Sequence, residues 1–162
     1  MTLLELVLAC AILLVLSSAA MPIVRTTVVR QRESELRRDL REMRTSIDRY
    51  KDAADRNLIR TEVGSEGYPP DLETLVNGVE MGAGGNPLLG MAPTQTGQSG
   101  SDIGKVRFLR KVPVDPMTGR AEWGLRSVQD DPDSHSWGGH NVFDVYSQSE
   151  GTALDGTKYA DW

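Results

Sequence analysis

Cysteine and histidine are scarce in this chain of 162 residues, which has one cysteine and two histidines. A single cysteine excludes an intramolecular disulfide, and Cys10 lies in an apolar run, where it is a small hydrophobic side chain rather than a nucleophile. His135 and His140 lie in an aspartate-rich loop at a spacing that matches no recognised zinc-ligand pattern. The sequence also shows no glycine-rich phosphate loop, nucleophile elbow or catalytic triad. We therefore expect a protein that is not an enzyme.

Helix-breaking residues are almost absent from the first third of the chain. The first glycine is Gly64, and Pro22 is the only proline before Pro69. Because glycine and proline are the residues that most often end a helix, the sequence predicts one helix over about residues 2–57, roughly 80 Å long. Pro22 favours a bend in it, because proline lacks the amide hydrogen that the helical ladder needs.

The predicted helix begins with an apolar segment, residues 1–24. Residues 6–24 carry no charge and span about 28 Å as a helix, close to the roughly 30 Å hydrocarbon core of a bilayer. In the simplest interpretation this segment is a single-pass membrane anchor. The flanking Arg25 and Arg30 would then place the rest of the chain in the cytoplasm, whereas a basic leader ahead of Met1 would reverse that orientation.

Glu5 is the only charged residue before Arg25. A carboxylate near the middle of a membrane segment costs roughly 2.5–3.5 kcal/mol, and less near its end, so such a group usually has a partner. One possible partner is local, because a glutamate in the first turn interacts favourably with the positive end of its own helix dipole. The other is a cation supplied by a second molecule.

The second part of the helix, residues 25–58, is predicted to be an amphipathic stem. Its apolar residues recur at intervals of three and four, and charged residues occupy the other faces. The stripe consists of Leu36, Leu40, Met43, Ile47, Tyr50, Ala54 and Leu58. It suits either packing against a globular head or a coiled-coil seam, and we favour packing because the head needs a partner for its core.

Charge is divided unevenly along the chain. Residues 25–60 carry eleven Arg and Lys against seven Asp and Glu, whereas residues 61–162 carry seven against fifteen. The basic stem can face acidic heads of neighbouring molecules, or it can be an ordinary solvated helix face, because exposed ion pairs contribute only about 0–1 kcal/mol each. Acidic residues are interleaved with the stem arginines, and the formal net charge is −5, so no nucleic-acid partner is expected.

The predicted fold class is α+β, with the long helix of residues 1–58 packed against a small C-terminal head of residues 59–162. The head should hold a short antiparallel β-sheet and extended loops. Pro69 and Pro70 suit the first positions of a short predicted helix.

Two further segments of the head have clear local signals. Residues 80–104 are rich in Gly, Ser, Thr, Gln and Pro, and they are predicted to form a long loop. Alternating apolar residues predict two strands, one within residues 121–128 and one within residues 140–148. A polar loop rich in aspartate joins these strands.

A series of short motifs, taken in order, resembles one protein family. The apolar N-terminal segment with Glu5 and Pro22 is similar to that of processed type IV pilins and pseudopilins. The head motifs are Tyr68-Pro69, Leu72 with Leu75, Val112-Pro113-Val114-Asp115-Pro116 with Gly119, Phe143-Asp144-Val145-Tyr146-Ser147, and the terminal loop that ends in Trp162. Their order and spacing resemble the major pseudopilin of type II secretion systems over nearly the whole chain. The chain departs from the family in having Met1, where Phe is usual, and in its longer loop at residues 80–104.

The resemblance implies a structural subunit that polymerises through its N-terminal helices into the pseudopilus of type II protein secretion. A leader peptidase is expected to cut before Met1, whose new amino group is often methylated in this family. Inner-membrane assembly machinery then moves the subunit from the bacterial inner membrane into a periplasmic filament. Glu5 and Pro22 are the expected assembly residues, with Glu5 meeting the charged Met1 amine of a neighbour.

Two alternatives to the pseudopilus remain open. The chain can be the major subunit of an extracellular type IV pilus that serves adhesion, motility or DNA uptake, because such a filament also assembles through its N-terminal helices. It can also be a monomeric, membrane-anchored binding module, in which case Glu5 should be dispensable.

The resemblance also implies a calcium site in the C-terminal loop. Carried over by position, the candidate ligands are the carboxylates of Glu150, Asp155 and Asp161, and oxygen atoms of Ser147, Ser149 and Leu154. Calcium takes six to eight oxygen ligands from a flexible loop, and Gly151 and Gly156 would let the backbone turn towards it. The loop does not follow the EF-hand pattern, and an ordinary acidic surface loop is the alternative.

Overall fold

A computed structural model of the chain describes residues 2–80 and 105–162, without the side chains of residues 16–25. The predicted loop at residues 80–104 therefore lies almost entirely outside the described residues. Helix α1 spans Leu3–Asp55, which is 53 residues and about 80 Å. The long N-terminal helix is thus confirmed, and it ends two residues before the predicted boundary.

The apolar stripe of the stem packs into the head, as predicted. Its central members are at most 2% exposed; they are Leu36, Leu40, Met43, Ile47 and Tyr50. They form one core with residues of the head that include Leu75, Trp123, Val142 and Val145. Ala54 is partly buried at the edge of this core. Because the stripe is buried within a single chain, it is a core face of the head rather than a coiled-coil seam.

Helix α2, Leu72–Asn77, is shorter than the sequence suggested. Pro69 and Pro70 precede it instead of occupying its first positions, because Asp71 acts as the N-cap. The Asp71 carboxylate accepts hydrogen bonds from the Thr74 amide at 2.6 Å and the Thr74 hydroxyl at 2.7 Å. The helix ends at Gly78, whose positive φ of 79° is readily adopted by glycine.

Among the described residues, the head contains four short strands in two separate antiparallel pairs rather than one sheet. Strand β1 (Val79–Glu80) pairs with β2 (Lys105–Val106), and β3 (Trp123–Arg126) pairs with β4 (Asp144–Ser147). The last two confirm the predicted strands, although both are shorter. A 3₁₀ helix at Tyr159–Asp161 follows them, and the fold class is α+β as predicted.

Candidate functional site

The first part of α1 presents a large apolar surface that no described residue of the head covers. Nine large apolar side chains between residues 3 and 15 are 52–84% exposed; they are Leu3, Leu4, Leu6, Val7, Leu8, Ile12, Leu13, Leu14 and Val15. Soluble monomers rarely expose a contiguous patch of this kind, and such patches mark contacts with protein or lipid. This part of the helix therefore needs an external partner.

Within the described residues, no helix combines the length and the apolarity that crossing a membrane requires. The side chains of residues 16–24, in the second part of the predicted membrane segment, lie outside the described residues. The backbone is helical through Pro22, where a bend stays a prediction. The predicted processing site at Met1 lies outside the described residues.

Glu5 lies in the first turn of α1, and it is exposed. Its amide donates a hydrogen bond to the Thr2 carbonyl at 3.1 Å, and Thr2 provides no side-chain cap. Its position fits a favourable interaction with the helix dipole. The Glu5 carboxylate still lies on an otherwise apolar surface. The interaction with the helix dipole is therefore compatible with a second partner from another molecule.

Three charged residues on one face of the stem hold the C-terminal segment, residues 151–162. We call this arrangement the clasp; its stem residues are Glu33, Arg37 and Arg44. One carboxylate oxygen of Glu33 accepts hydrogen bonds from the Leu154 amide at 2.8 Å and the Tyr159 hydroxyl at 3.1 Å. Burial, and then this hydrogen bond to Glu33, raise the pKa of Tyr159 above its ordinary value.

Arg37 joins two parts of the C-terminal segment. One of its terminal nitrogens lies 3.2 Å from an Asp155 carboxylate oxygen, and its guanidinium carbon lies 3.9 Å from the centre of the Trp162 ring. The indole nitrogen of Trp162 donates to the Thr157 hydroxyl at 2.7 Å. Hydrogen bonds from the Thr157 hydroxyl and amide, followed by the nearby Arg37, lower the pKa of Asp155.

Arg44 makes the densest set of contacts in the clasp. Its guanidinium donates to both carboxylate oxygens of Asp144, at 2.6 and 3.3 Å. It also donates to the main-chain oxygen of Val145 at 3.1 Å and to that of Trp162 at 2.8 Å. Arg44 therefore fastens both β4 and the end of the described chain to α1.

We expect Arg44→Ala to lower the free energy of unfolding by about 1–3 kcal/mol, because it removes charge-assisted hydrogen bonds to Asp144 and to two main-chain oxygens. Urea unfolding of the full chain in detergent, followed by tryptophan fluorescence, measures this. Arg32→Ala is the matched control, because Arg32 is an exposed arginine of the same helix. Equal midpoints for the two variants would show that Arg44 does not stabilise the fold.

The predicted calcium ligands have different surroundings in this conformation. Glu150 and Asp161 are exposed, and Asp155 is engaged by Arg37 and Thr157. Ser147 is fully buried, and its hydroxyl donates to Asp115 at 2.6 Å. The Ser149 hydroxyl accepts from the Gly151 amide at 3.3 Å. The Leu154 amide donates to Glu33, a bond that does not involve the Leu154 carbonyl oxygen predicted as a ligand.

Within residues 2–80 and 105–162, no three Asp, Glu, His or Cys side chains are grouped as metal ligands. In this arrangement Arg37 and Thr157 contact the Asp155 carboxylate. Calcium binding stays a prediction, and the Arg37 guanidinium would compete with the ion for that carboxylate.

Calcium and Arg37 should therefore compete for Asp155. We expect Arg37→Ala to bind calcium up to about fivefold more tightly than the unsubstituted chain, because an exposed ion pair contributes about 0–1 kcal/mol. Isothermal titration of both proteins with calcium chloride measures the difference. Absence of binding heat in both would contradict the calcium prediction.

Asp115 is a buried neighbour of Ser147, a contact that the sequence did not reveal. Its side chain is fully buried and accepts from the Ser147 hydroxyl and, at 2.7 Å, from the Met117 amide. The Asp-Pro pair at this position indicates a turn, but nothing local indicates a bond to β4, 32 residues away.

The chain matches no protein-family model, no curated protein and no solved structure. Two features of the described residues bear on function. One is the exposed apolar part of α1, which contains one carboxylate, and the other is the head, which the clasp fastens to the same helix. The first is suited to association and the second to rigid presentation of the head.

Proposed function

We propose that the chain is a structural subunit that polymerises into a helical filament of the type IV pilus kind, as a major pseudopilin does in type II protein secretion. The observation that carries this proposal is the uncovered apolar surface at residues 3–15 of α1. The same helix continues without a break into the core of the head, so a contact made by its first part fixes the position of the head.

Association between copies of this apolar surface holds the filament core together. Lipid tails are as apolar as these side chains, so the exchange of lipid for neighbouring helices rests on close van der Waals packing, and the hydrophobic effect then keeps the packed core out of water. In this proposal the bacterial inner membrane covers the apolar surface before assembly, and neighbouring subunits cover it afterwards. The filament then extends into the periplasm as a pseudopilus.

Glu5 fixes the axial position of each subunit relative to its neighbour in the proposed filament. A carboxylate in a dry helical core needs a cation, and the amino group of residue 1 is positively charged at neutral pH because its ordinary pKa is about 7.7–8.0. Cleavage by a leader peptidase before Met1 would create that amino group, and the assembly machinery would then add the subunit to the filament. Each Glu5 thus pairs with Met1 of a neighbour.

Shearing the surface of cells that overproduce the chain, releasing their periplasm, and imaging both fractions by electron microscopy tests the polymer. Filaments that bind an antibody against the head support the proposal. Membrane-bound protein without filaments, when the assembly machinery is coproduced, would instead favour the monomeric anchored module. Filaments that reach the medium in unmodified cells would identify the extracellular type IV pilus, which is the second form of the same proposal.

A further inference from the structure

Arginines of the stem lie on both flanks of the apolar stripe. At 100° per residue, Arg44 lies about 100° to one side of Met43, and Arg49 lies about 120° to the other side. The first flank forms the clasp. On the second flank, α1 and the segment at residues 108–110 enclose a groove of about 590 Å³. We call it the arginine groove; its charged lining consists of Arg38, Arg41, Arg49, Arg110 and Glu42.

The arginine groove carries excess positive charge. All four arginines are exposed, and Glu42 is the only carboxylate in the lining. Within residues 2–80 and 105–162, none of the four guanidinium groups has an ion pair with a carboxylate, whereas Arg37 and Arg44 on the first flank each have one. Residues 81–104 include a single charged residue, Asp102, and cannot balance four arginines. The charge of the groove therefore suits an acidic partner from outside the chain.

Lipid headgroups are a poor candidate for that partner. Arg38 lies 14 residues beyond the end of the uncharged run at Val24, which places it about 21 Å further along the helix axis. That distance exceeds the Debye length of about 8 Å at physiological ionic strength, so an anionic membrane surface would be largely screened from the groove. An acidic protein surface remains, and the head of this chain provides one.

Residues 129–139 form the acidic middle part of the segment that joins β3 to β4; we call it the acidic loop. The Asp130 carboxylate accepts from the Ser127 amide at 2.8 Å and the Gly138 amide at 3.0 Å, and these hydrogen bonds lower its pKa. The Tyr146 hydroxyl donates to the His135 carbonyl at 3.1 Å. These bonds hold the loop in one shape, which reduces the entropy that is lost when a partner binds.

The outer side of the acidic loop has the composition of a contact surface. Asp131 and Asp133 are exposed, and within the described residues their carboxylates accept no hydrogen bond and form no ion pair. Trp137 is 40% exposed and is anchored by a 2.8 Å hydrogen bond from its indole nitrogen to the Asn141 carbonyl. Tryptophan is among the residues that contribute most to binding at protein interfaces.

We propose that the acidic loop of one copy docks in the arginine groove of the next copy, an inference that rests on the proposed polymer. Arg44 fastens β4, and with it the hairpin that carries the loop, to the flank opposite the groove. Each copy can therefore use both surfaces at once. Because loop and groove are different surfaces of the same chain, the contact is heterologous and propagates into an open helix instead of closing as a two-fold dimer.

Charge reversal with rescue tests the contact in filaments of the full chain. We expect Arg38→Glu with Arg49→Glu to reduce filament yield at least about tenfold, and Asp131→Lys with Asp133→Lys to do the same, because like charges are then juxtaposed. All four substitutions together should restore the yield to within about twofold of the unsubstituted chain. Arg32→Glu with Arg60→Glu is the matched control, because it reverses two exposed arginines outside the groove.

Failure of the fourfold variant to restore filaments, with normal amounts of folded protein in the membrane, would overturn the proposal. Unchanged yield in both double variants would overturn it as well. If groove reversal leaves filament yield unchanged but abolishes retention of duplex DNA by the filaments, the groove binds nucleic acid and the proposed contact is wrong.

Cross-linking tests the contact separately from filament formation. In a Cys10→Ala background, copies with Thr45→Cys in the groove and copies with Ser136→Cys in the loop are produced together and treated in membranes with a short bismaleimide. The mixed product should exceed either same-site product about tenfold, because the contact is heterologous. The mixed product without filaments would support the contact and count against the polymer. Filaments without the mixed product would support the polymer and overturn the contact.

Discussion

Cells that produce the Glu5→Ala variant are expected to assemble about a hundredfold fewer filaments than cells that produce the unsubstituted chain. In the proposed core, the Glu5 carboxylate is the partner of a neighbour's Met1 amine. Removing one member of a buried ion pair costs about 3–5 kcal/mol, because the other charge is left without compensation. That cost applies to every subunit that is added, so the effect on a polymer is large. Quantitative immunoblotting of the sheared fraction, with electron microscopy of the same material, measures it.

Glu35→Ala is the matched control for this variant, because Glu35 is an exposed glutamate of the same helix. It should assemble normally. Both variants must be present in the membrane fraction in equal amounts, which separates failure to assemble from loss of the protein. Normal filaments from Glu5→Ala would leave the polymer in place and would show that Glu5 has no part in its register.

The Asp115→Ala variant is expected to lose about 2–4 kcal/mol of the free energy of unfolding, the largest stability effect that we predict. Asp115 is fully buried, and its carboxylate accepts from the Ser147 hydroxyl and the Met117 amide. Truncation leaves both donors in the core without an acceptor, and each such group costs about 1–3 kcal/mol. Because Ser147 belongs to β4, loss of its hydrogen bond to Asp115 should also weaken the packing of β4, the strand that Arg44 fastens to α1.

Urea unfolding of the full chain in detergent measures the effect of Asp115→Ala, with tryptophan fluorescence as the signal. Asp133→Ala, at an exposed position of the acidic loop, is the control and should change stability by less than about 0.5 kcal/mol. Ser147→Ala should fall between the two, because the Met117 amide keeps its acceptor. Equal stability of the Asp115 and Asp133 variants would contradict the buried role of Asp115.

Local sequence signals predicted the larger part of the fold. The long helix follows from the near absence of glycine and proline before Gly64, and the stripe of the stem follows from periodicity. Strands β3 and β4 follow from alternation. The predicted start of α2 was wrong by three residues, because the cap formed by Asp71 takes precedence over the preference of proline for the first turn.

The site could be predicted less completely, because its contacts join residues that are far apart in the sequence. Arg37 and Asp155 are separated by 118 residues, as are Arg44 and Trp162. A stem arginine has no local feature that tells whether it faces its own head or another molecule. The same limitation applies to Ser147, which was predicted as a calcium ligand and whose hydroxyl donates a hydrogen bond to Asp115 in the core.

The central claim is that the apolar part of α1 packs against copies of itself, and helical reconstruction by cryo-electron microscopy tests it most directly. Filaments sheared from producing cells should show residues 1–24 of every subunit at the axis and the heads outside. The Glu5 carboxylate should lie within about 4 Å of a neighbour's Met1 amino group. Filaments with the apolar segments outside, or Glu5 facing no cation, would contradict the account.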